Sequence, residues 1–279
     1  MVKQKEYALI TGAGKGLGKA FAHELADRRI NVLLTALPGE GLEDFCEALA
    51  VEYGIEADFM ECDLTLESEV MRLVHWVREN YPLTMLINNA GIGGTAEFEK
   101  VDASKINNII LLNVRATALL THQLLPLLRY HRPAWILNVA SMASFSPIGY
   151  KTVYPASKVF ILHFSRGLNE ELKHSGVFVS VVHPGPMTTN EDSISRIAKQ
   201  GRLGKMCALS ARYTAKKAID HLFKKHAHIL VGKGNKLNWV LTKLVPTRFR
   251  LSIITRIIKR EIKTPKIPAE RYESVGYRS

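Results

Sequence analysis

Tyr154 and Lys158 stand four residues apart in a stretch of helical pattern running from Tyr154 to His174. At that spacing their side chains project from one face and can act on the same small volume. A free phenol titrates near pH 10, roughly, and stays protonated at neutral pH. A neighbouring ammonium favours the phenolate and brings the phenol toward the range in which it can both give and take a proton. A second chemical pattern lies near the N-terminus, where an apolar run leads into Thr11-Gly12-Ala13-Gly14-Lys15-Gly16-Leu17-Gly18 and then a helical stretch. A phosphate can approach a backbone only where side chains are absent, and a helix N-terminus meets it with unpaired N–H groups and partial positive charge. A glycine-rich turn alone also suits a tight structural bend, but strand, glycine turn and helix in that order predict a dinucleotide site.

The elements that must hold these residues are legible as short apolar runs alternating with longer segments of helical period. This is the pattern of βαβ units and of a parallel sheet covered on both faces. Strands are expected at 7–11, 31–36, 56–61, 84–88, 134–140, 177–182 and 229–231, and helices at 18–29, 42–53, 67–80, 103–129, 154–174 and 211–225. The expected architecture is α/β, a doubly wound sheet of seven parallel strands in a single domain, residues 1–232, followed by a C-terminal helical extension, residues 233–279. With 47% hydrophobic and 23% charged residues over 279 positions, the chain is excluded from the disordered, collagenous and disulfide-framed classes. Cys46, Cys62 and Cys207 form no C-x-x-C pair, so no metal site is expected and a reducing, cytoplasmic setting is the simplest. No run of 18 uncharged apolar residues occurs, so membrane contact is expected to be peripheral.

The glycine spacing Gly12-x-x-x-Gly16-x-Gly18 resembles that of the short-chain dehydrogenase/reductase family, classical type, and four further segments agree with it in order. They are Asp63-Leu64 after the third strand, Asn88-Asn89-Ala90-Gly91 at the end of the fourth, Tyr154-x-x-x-Lys158, and Pro184-Gly185 with Thr189 after the sixth. The resemblance spans about residues 6 to 232. It implies a Rossmann-like fold and a nicotinamide cofactor held by Gly12, Gly14, Lys15, Gly16, Leu17, Gly18, Asp63, Leu64, Asn89, Ala90, Gly91, Tyr154, Lys158, Pro184, Gly185 and Thr189. It also implies catalysis by Asn113, Ser141, Tyr154 and Lys158. Tyr154 would exchange a proton with the substrate oxygen, Ser141 would hydrogen-bond that oxygen, Lys158 would polarise Tyr154 and hold the ribose, and Asn113 would support a relay of water and lysine. Taken singly, a serine after a strand is also a common turn cap, and an asparagine in an apolar helix a common core amide. Ser144 and Ser146 lie close by, and spacing favours Ser141.

The second strand ends Thr35-Ala36-Leu37-Pro38, with no carboxylate before Glu40. Nothing there would repel a 2′-phosphate, and Lys15 resembles the basic position of many NADP-dependent members, so NADP(H) is favoured and NAD(H) stays open. Residues 186–206 are expected to form a substrate lid, with Ile194, Ile197, Leu203 and Met206 lining an apolar pocket or packing the lid down; Phe145, Ile148 and Met187 should face the substrate. No charged residue near Tyr154 stands out as a carboxylate clamp. The expected substrate is therefore a lipophilic carbonyl or alcohol.

Net charge is +12, with 38 Lys+Arg against 26 Asp+Glu. Residues 1–190 carry 17 basic and 20 acidic side chains, residues 191–279 carry 21 and 6, and residues 233–266 hold ten bases and one acid, Glu261. Leu237, Val240, Leu241, Leu244 and Val245 form one helical stripe, and Ile254, Ile257, Ile258 and Ile262 a second, on a helix expected from about Arg248 to Lys263. Three fates suit such an extension: peripheral contact with an anionic membrane, a cap on the pocket, or a subunit interface. Nucleic acid is disfavoured, since no recognised motif is present and the apolar stripes exceed what phosphate tracking needs.

A looser resemblance links the chain to the branch with very-long-chain 3-oxoacyl reductases, 17β-hydroxysteroid dehydrogenases and 3-ketosphinganine reductases. It implies a reductase of a lipid-like ketone in a homo-oligomer. A nucleotide-binding regulatory protein without turnover, or a dehydrogenase running oxidatively, are the alternatives.

Overall fold

The computed structural model of the protein describes residues 5–188, 195, 197–198 and 207–263. Seven parallel strands, β1 (Tyr7–Thr11), β2 (Asn31–Ala36), β3 (Ala57–Glu61), β4 (Leu83–Asn88), β5 (Ala134–Val139), β6 (Val177–His183) and β7 (His228–Leu230), form one sheet in the order β3-β2-β1-β4-β5-β6-β7. The central strands are buried on both faces, which is why they read as unbroken apolar runs. Successive residues still point opposite ways: Ala8 and Ile10 join one core, Tyr7 and Leu9 the other. The first core packs under α1 (Gly16–Asp27), α2 (Leu42–Tyr53) and α6 (Ala211–Phe223). The second packs under α3 (Glu67–Asn80) and α4 (Ala103–Tyr130), with Leu168 and Leu172 reaching it from α5 (Val153–Glu171) and just beyond.

The sheet reverses its winding between β1 and β4, which are neighbours despite three intervening helices. In an open α/β sheet, the carboxyl ends of strands at such a point diverge and leave a crevice. Helix α4 is long and apolar enough to cross a bilayer by length and composition. Its Leu120, Leu124 and Leu128 are buried against the sheet, and its other side, with Ile110, is exposed.

Two helices follow β7: α7 (Lys233–Leu244) and α8 (Thr247–Lys263). They fold back on the carboxyl end of the sheet. Asn235 is buried and donates to the Val231 and Cys207 carbonyls. Arg250 donates to the Phe145 carbonyl (3.1 Å), and Gly149 N–H donates to the Thr255 hydroxyl (3.2 Å). Of the two expected apolar stripes, Ile254, Ile257 and Ile258 face inward; Leu237, Val240, Leu241 and Leu244 face out and are exposed. The inner side of α7 instead carries Asn235, Asn238 and Thr242.

Candidate active site

The glycine turn is built by contact with the end of β4. Thr11 Oγ1 accepts from the backbone N–H of Asn89 and Ala90 (3.0 and 2.9 Å), and Asn89 Nδ2 donates to the carbonyls of Thr11 and Gly12 (2.8 and 3.1 Å). The Asn89 side chain therefore fastens the turn. Gly12 has φ +66°, and a Cβ there would stand 3.0 Å from Ala90 Cα; at Gly18 it would stand 2.0 Å from the Gly12 carbonyl oxygen. No side chain caps the N-terminus of α1, so its first-turn N–H groups take no partner from a side chain. A backbone cradle that a methyl group would block, at an uncapped helix start, fits a dinucleotide pyrophosphate.

A cavity of about 770 Å³ opens from this turn. Of the cofactor residues expected from sequence, Gly12, Lys15, Gly16, Leu17, Asp63, Leu64, Asn89, Ala90, Gly91, Pro184 and Gly185 line it, together with Tyr154 and Lys158. Gly14 and Gly18 do not: Gly14 lies beneath the Glu40 side chain and Gly18 against the Gly12 carbonyl. Thr189 lies outside the described residues, as do Ile194, Leu203 and Met206 of the expected lid, whereas Ile197 and Met187 line the cavity.

At the cavity's centre, α5 presents Tyr154 and Lys158 from its first two turns, with Pro155 in the first turn where a missing N–H costs nothing. Lys158 is buried and donates to the Val139 carbonyl at 2.8 Å. Its Nζ lies 5.9 Å from the Tyr154 ring centroid. Burial pulls the Lys158 ammonium down to about 8. Gly91 makes room for this group, since a Cβ there would come within 3.2 Å of Lys158 Nζ and 3.1 Å of Asn113 Oδ1. The ammonium and the amide oxygen thus converge on one spot beside Gly91.

Asn113 does not line the cavity. It is buried in a π-helical turn of α4, Leu111–Ala116, and its amide makes both hydrogen bonds of Ile92: Ile92 N–H donates to Oδ1 and Nδ2 donates to the Ile92 carbonyl, each at 2.9 Å. Nδ2 also donates to Ser157 Oγ (2.9 Å), one residue before Lys158. The wide turn pushes the amide out of the regular helix ladder toward the β4 loop, a distortion common at functional sites.

Ser141 lies two residues beyond β5 and caps a short 3₁₀ turn, Met142–Phe145. Its Oγ accepts from Ala143 N–H (3.1 Å), which leaves its own O–H to donate into the cavity it lines. Ser144 is instead turned to His183 Nδ1 (2.9 Å) and the Ser141 carbonyl. Ser146 is buried, and its Oγ has no partner among the described residues.

Three residues in this region were not singled out from the sequence. His183, fully buried at the end of β6, places Nδ1 3.2 Å from the Ser141 carbonyl and packs its ring at a tilt against Phe145 and His228, with Trp239 against the far side of His228. Burial, then the neighbouring His228, drives its pKa down to about 3, so it is a neutral prop for the Ser141 turn. Glu40 lines the cavity and pairs with Lys15, bringing a carboxylate to a place where the β2 terminus offered none. Lys151 lines the cavity three residues before Tyr154, so the substrate side does carry a cation. Glu40, four residues past β2, and Lys151, three before Tyr154, were near enough in sequence to give a signal; the place of His183 behind Ser141 depends on folding across dozens of residues.

Among the described residues no group of three His, Cys, Asp or Glu side chains could hold a metal ion. A short chain dehydrogenase profile matches residues 6–199. The chain belongs to the short-chain dehydrogenase family. Within it, the chain is 34% identical over 206 residues to a very-long-chain 3-oxoacyl-CoA reductase-B of Danio rerio (70% of this chain, 62% of that one). It is 28% identical over 193 residues to the inactive hydroxysteroid dehydrogenase-like protein 1 of Homo sapiens (68% of this chain, 58% of that one). The chain thus spans about three fifths of the length of the curated relatives it matches. A solved short-chain dehydrogenase from Sphingobium yanoikuyae in complex with NADPH superposes with a TM-score of 0.74 at 24% identity, covering 96% of this chain and 100% of that one. That likeness agrees with the seven-stranded Rossmann-like sheet expected from sequence.

Proposed function

We propose that this family member is an NADPH-dependent reductase of a lipophilic ketone. The observation that carries the reading is a single cavity reaching from the glycine cradle, past Ser141, Tyr154 and Lys158, to the apolar side chains of α8. The cradle, Asp63-Leu64, Asn89 to Gly91 and Pro184-Gly185 would hold the cofactor, which when bound supplies the hydride. The chain's own part is proton handling and positioning. The Ser141 O–H donates to the substrate oxygen and fixes it beside the phenol. Tyr154 gives its proton to that oxygen as negative charge develops there, and takes one back in the oxidative direction. Lys158, held by the Val139 carbonyl, favours the phenolate left behind. Asn113 acts by holding Ile92 and Ser157 on either side of the lysine.

Lys15 supports NADP(H) over NAD(H), since its exposed pairing with Glu40 is a weak one that a 2′-phosphate can replace. The apolar Ile148, Met187, Ile254, Ile257 and Ile258 support a long-chain or fused-ring substrate, with Lys151 suited to a polar head group. In this reading residues 1–232 are the catalytic unit, the expected lid at 186–206 lying mostly outside the described residues, the helices of residues 233–263 a cap over the pocket, and exposed Ile110 and Phe160 on α4 and α5 part of a homo-oligomer interface.

Replacing Tyr154 with Phe tests the mechanism. Turnover should fall by at least about 10²-fold, the scale of a lost general acid, while NADPH binding followed by fluorescence stays near that of the native chain. Comparable turnover by that variant would overturn the reading. One relative's printed name, with the word inactive, supports a second reading, a nucleotide-binding protein without turnover. A panel of ketones monitored by NADPH oxidation separates the two.

A further inference from the structure

An amphipathic helix packed on a domain normally turns its apolar stripe inward. Helix α7 does the reverse: Leu237, Val240, Leu241 and Leu244 face out, Leu244 being 72% exposed, and on α8 Phe249 and Ile253 continue the strip. Exposed Lys236, Lys243, Arg248, Arg256 and Lys259 flank it, and residues 233–259 contain no acid. The opposite sides of the same helices, through Asn238, Thr242, Ile254, Ile257 and Ile258, line the cavity. Only one helix, about 10 Å across, separates the exposed strip from the pocket.

We propose that the outer face of α7 and α8 docks the molecule on an anionic lipid bilayer, and that substrate enters the cavity across this helix pair; the second clause rests on the reductase reading. The occupant follows from charge. A second copy meeting this face with its own would set five cations against five with no acid among them, which like-charge repulsion opposes. An anionic bilayer answers both parts of the surface at once, taking the apolar strip into the acyl boundary and the cations against its headgroups. A lipophilic ketone concentrates in that same layer.

The test sediments the full chain with vesicles of phosphatidylcholine alone and with roughly one third phosphatidylserine. Expected are about tenfold tighter binding to the anionic vesicles, weakening as salt screens the headgroups, and loss of most binding in a Leu241→Asp, Leu244→Asp variant. Both side chains point away from the cavity, so that variant should keep its circular dichroism and its turnover of a short water-soluble ketone while losing turnover of a long-chain 3-oxo ester carried in vesicles. A second variant, Lys243→Glu with Arg256→Glu, should lose the preference for anionic lipid. Equal binding to both vesicles, or unchanged binding by both variants, would overturn the docking. A concentration-dependent dimer abolished by the same substitutions, without vesicle binding, would overturn it in favour of a second copy. Vesicle binding without turnover of either ketone would leave the docking standing and overturn the entry clause together with the reductase reading.

Discussion

Lys158 carries the largest chemical burden for its surroundings. Its ammonium is buried, with a pKa near 8 against an ordinary value of 10.5. The unfolded chain therefore binds more protons than the folded one between about pH 8 and 10.5, and this residue's contribution to stability rises with pH across that window and is lowest below it. Two outcomes follow. In the reductive direction kcat/KM should fall above about pH 8, as the ammonium that favours the phenolate loses its proton; a profile flat to pH 10 would contradict this. Lys158→Met should lose turnover by at least about 10²-fold without lowering the urea midpoint at pH 7, because the buried charge is gone. At the other end of the cavity, Glu40→Gln removes a carboxylate from the Lys15 ammonium and from any 2′-phosphate. The ratio of NADH to NADPH dissociation constants should rise about fivefold, equivalent to about 1 kcal/mol for a charge near the surface; parallel titrations of both reduced cofactors measure it.

Among the elements, α4 owes its functional shape to one turn. Six residues in π register displace Asn113 far enough to hold Ile92 by both of its backbone groups. Asn113→Ala would remove the partner of both Ile92 backbone groups, at a cost of about 1–2 kcal/mol for two part-buried hydrogen bonds, measurable as a lower urea midpoint, and would free the loop that carries Gly91 and Gly93 along Lys158 and Tyr154. Most helix and strand positions lie within two residues of their sequence expectation, α2 and α3 coinciding with it. The π turn escaped because a shift of hydrogen-bond register leaves no mark on apolar spacing. Helix α1 begins two residues earlier than expected, at Gly16, because the left-handed Gly16 (φ +58°) opens it directly from the turn.

For the molecule as a whole, the decisive event is the return of α7 and α8 onto the carboxyl end of the sheet. Phe145 and His228 lie against His183, Trp239 packs on both of them, and His183 in turn props the Ser141 carbonyl. His183 is kept neutral there, with a pKa near 3 in the folded state against about 6.5 unfolded. Its contribution to stability is full above pH 6.5 and is lost as pH falls toward about 3, because the unfolded chain takes up the proton first. A His183→Phe variant fills the same place without titrating. Its acid unfolding midpoint, followed by circular dichroism, should move to lower pH, and an unchanged midpoint would assign the acid limb to other groups.

The sequence by itself determined the parallel sheet and the pairing of Tyr154 with Lys158, because strands buried on both faces must be apolar throughout and a four-residue step in a helix always shares a face. It also located the glycine cradle, since few other residues let a backbone come so close, and it separated a slightly acidic catalytic body from a basic tail. Tertiary structure alone decided what lies across from what. That Glu40 reaches the cavity, that Asn113 grips Ile92, that His183 stands behind Ser141, and that α7 turns its leucines outward all depend on contacts between distant segments. Periodicity gives a stripe on a helix; only packing chooses which side of that helix meets the core.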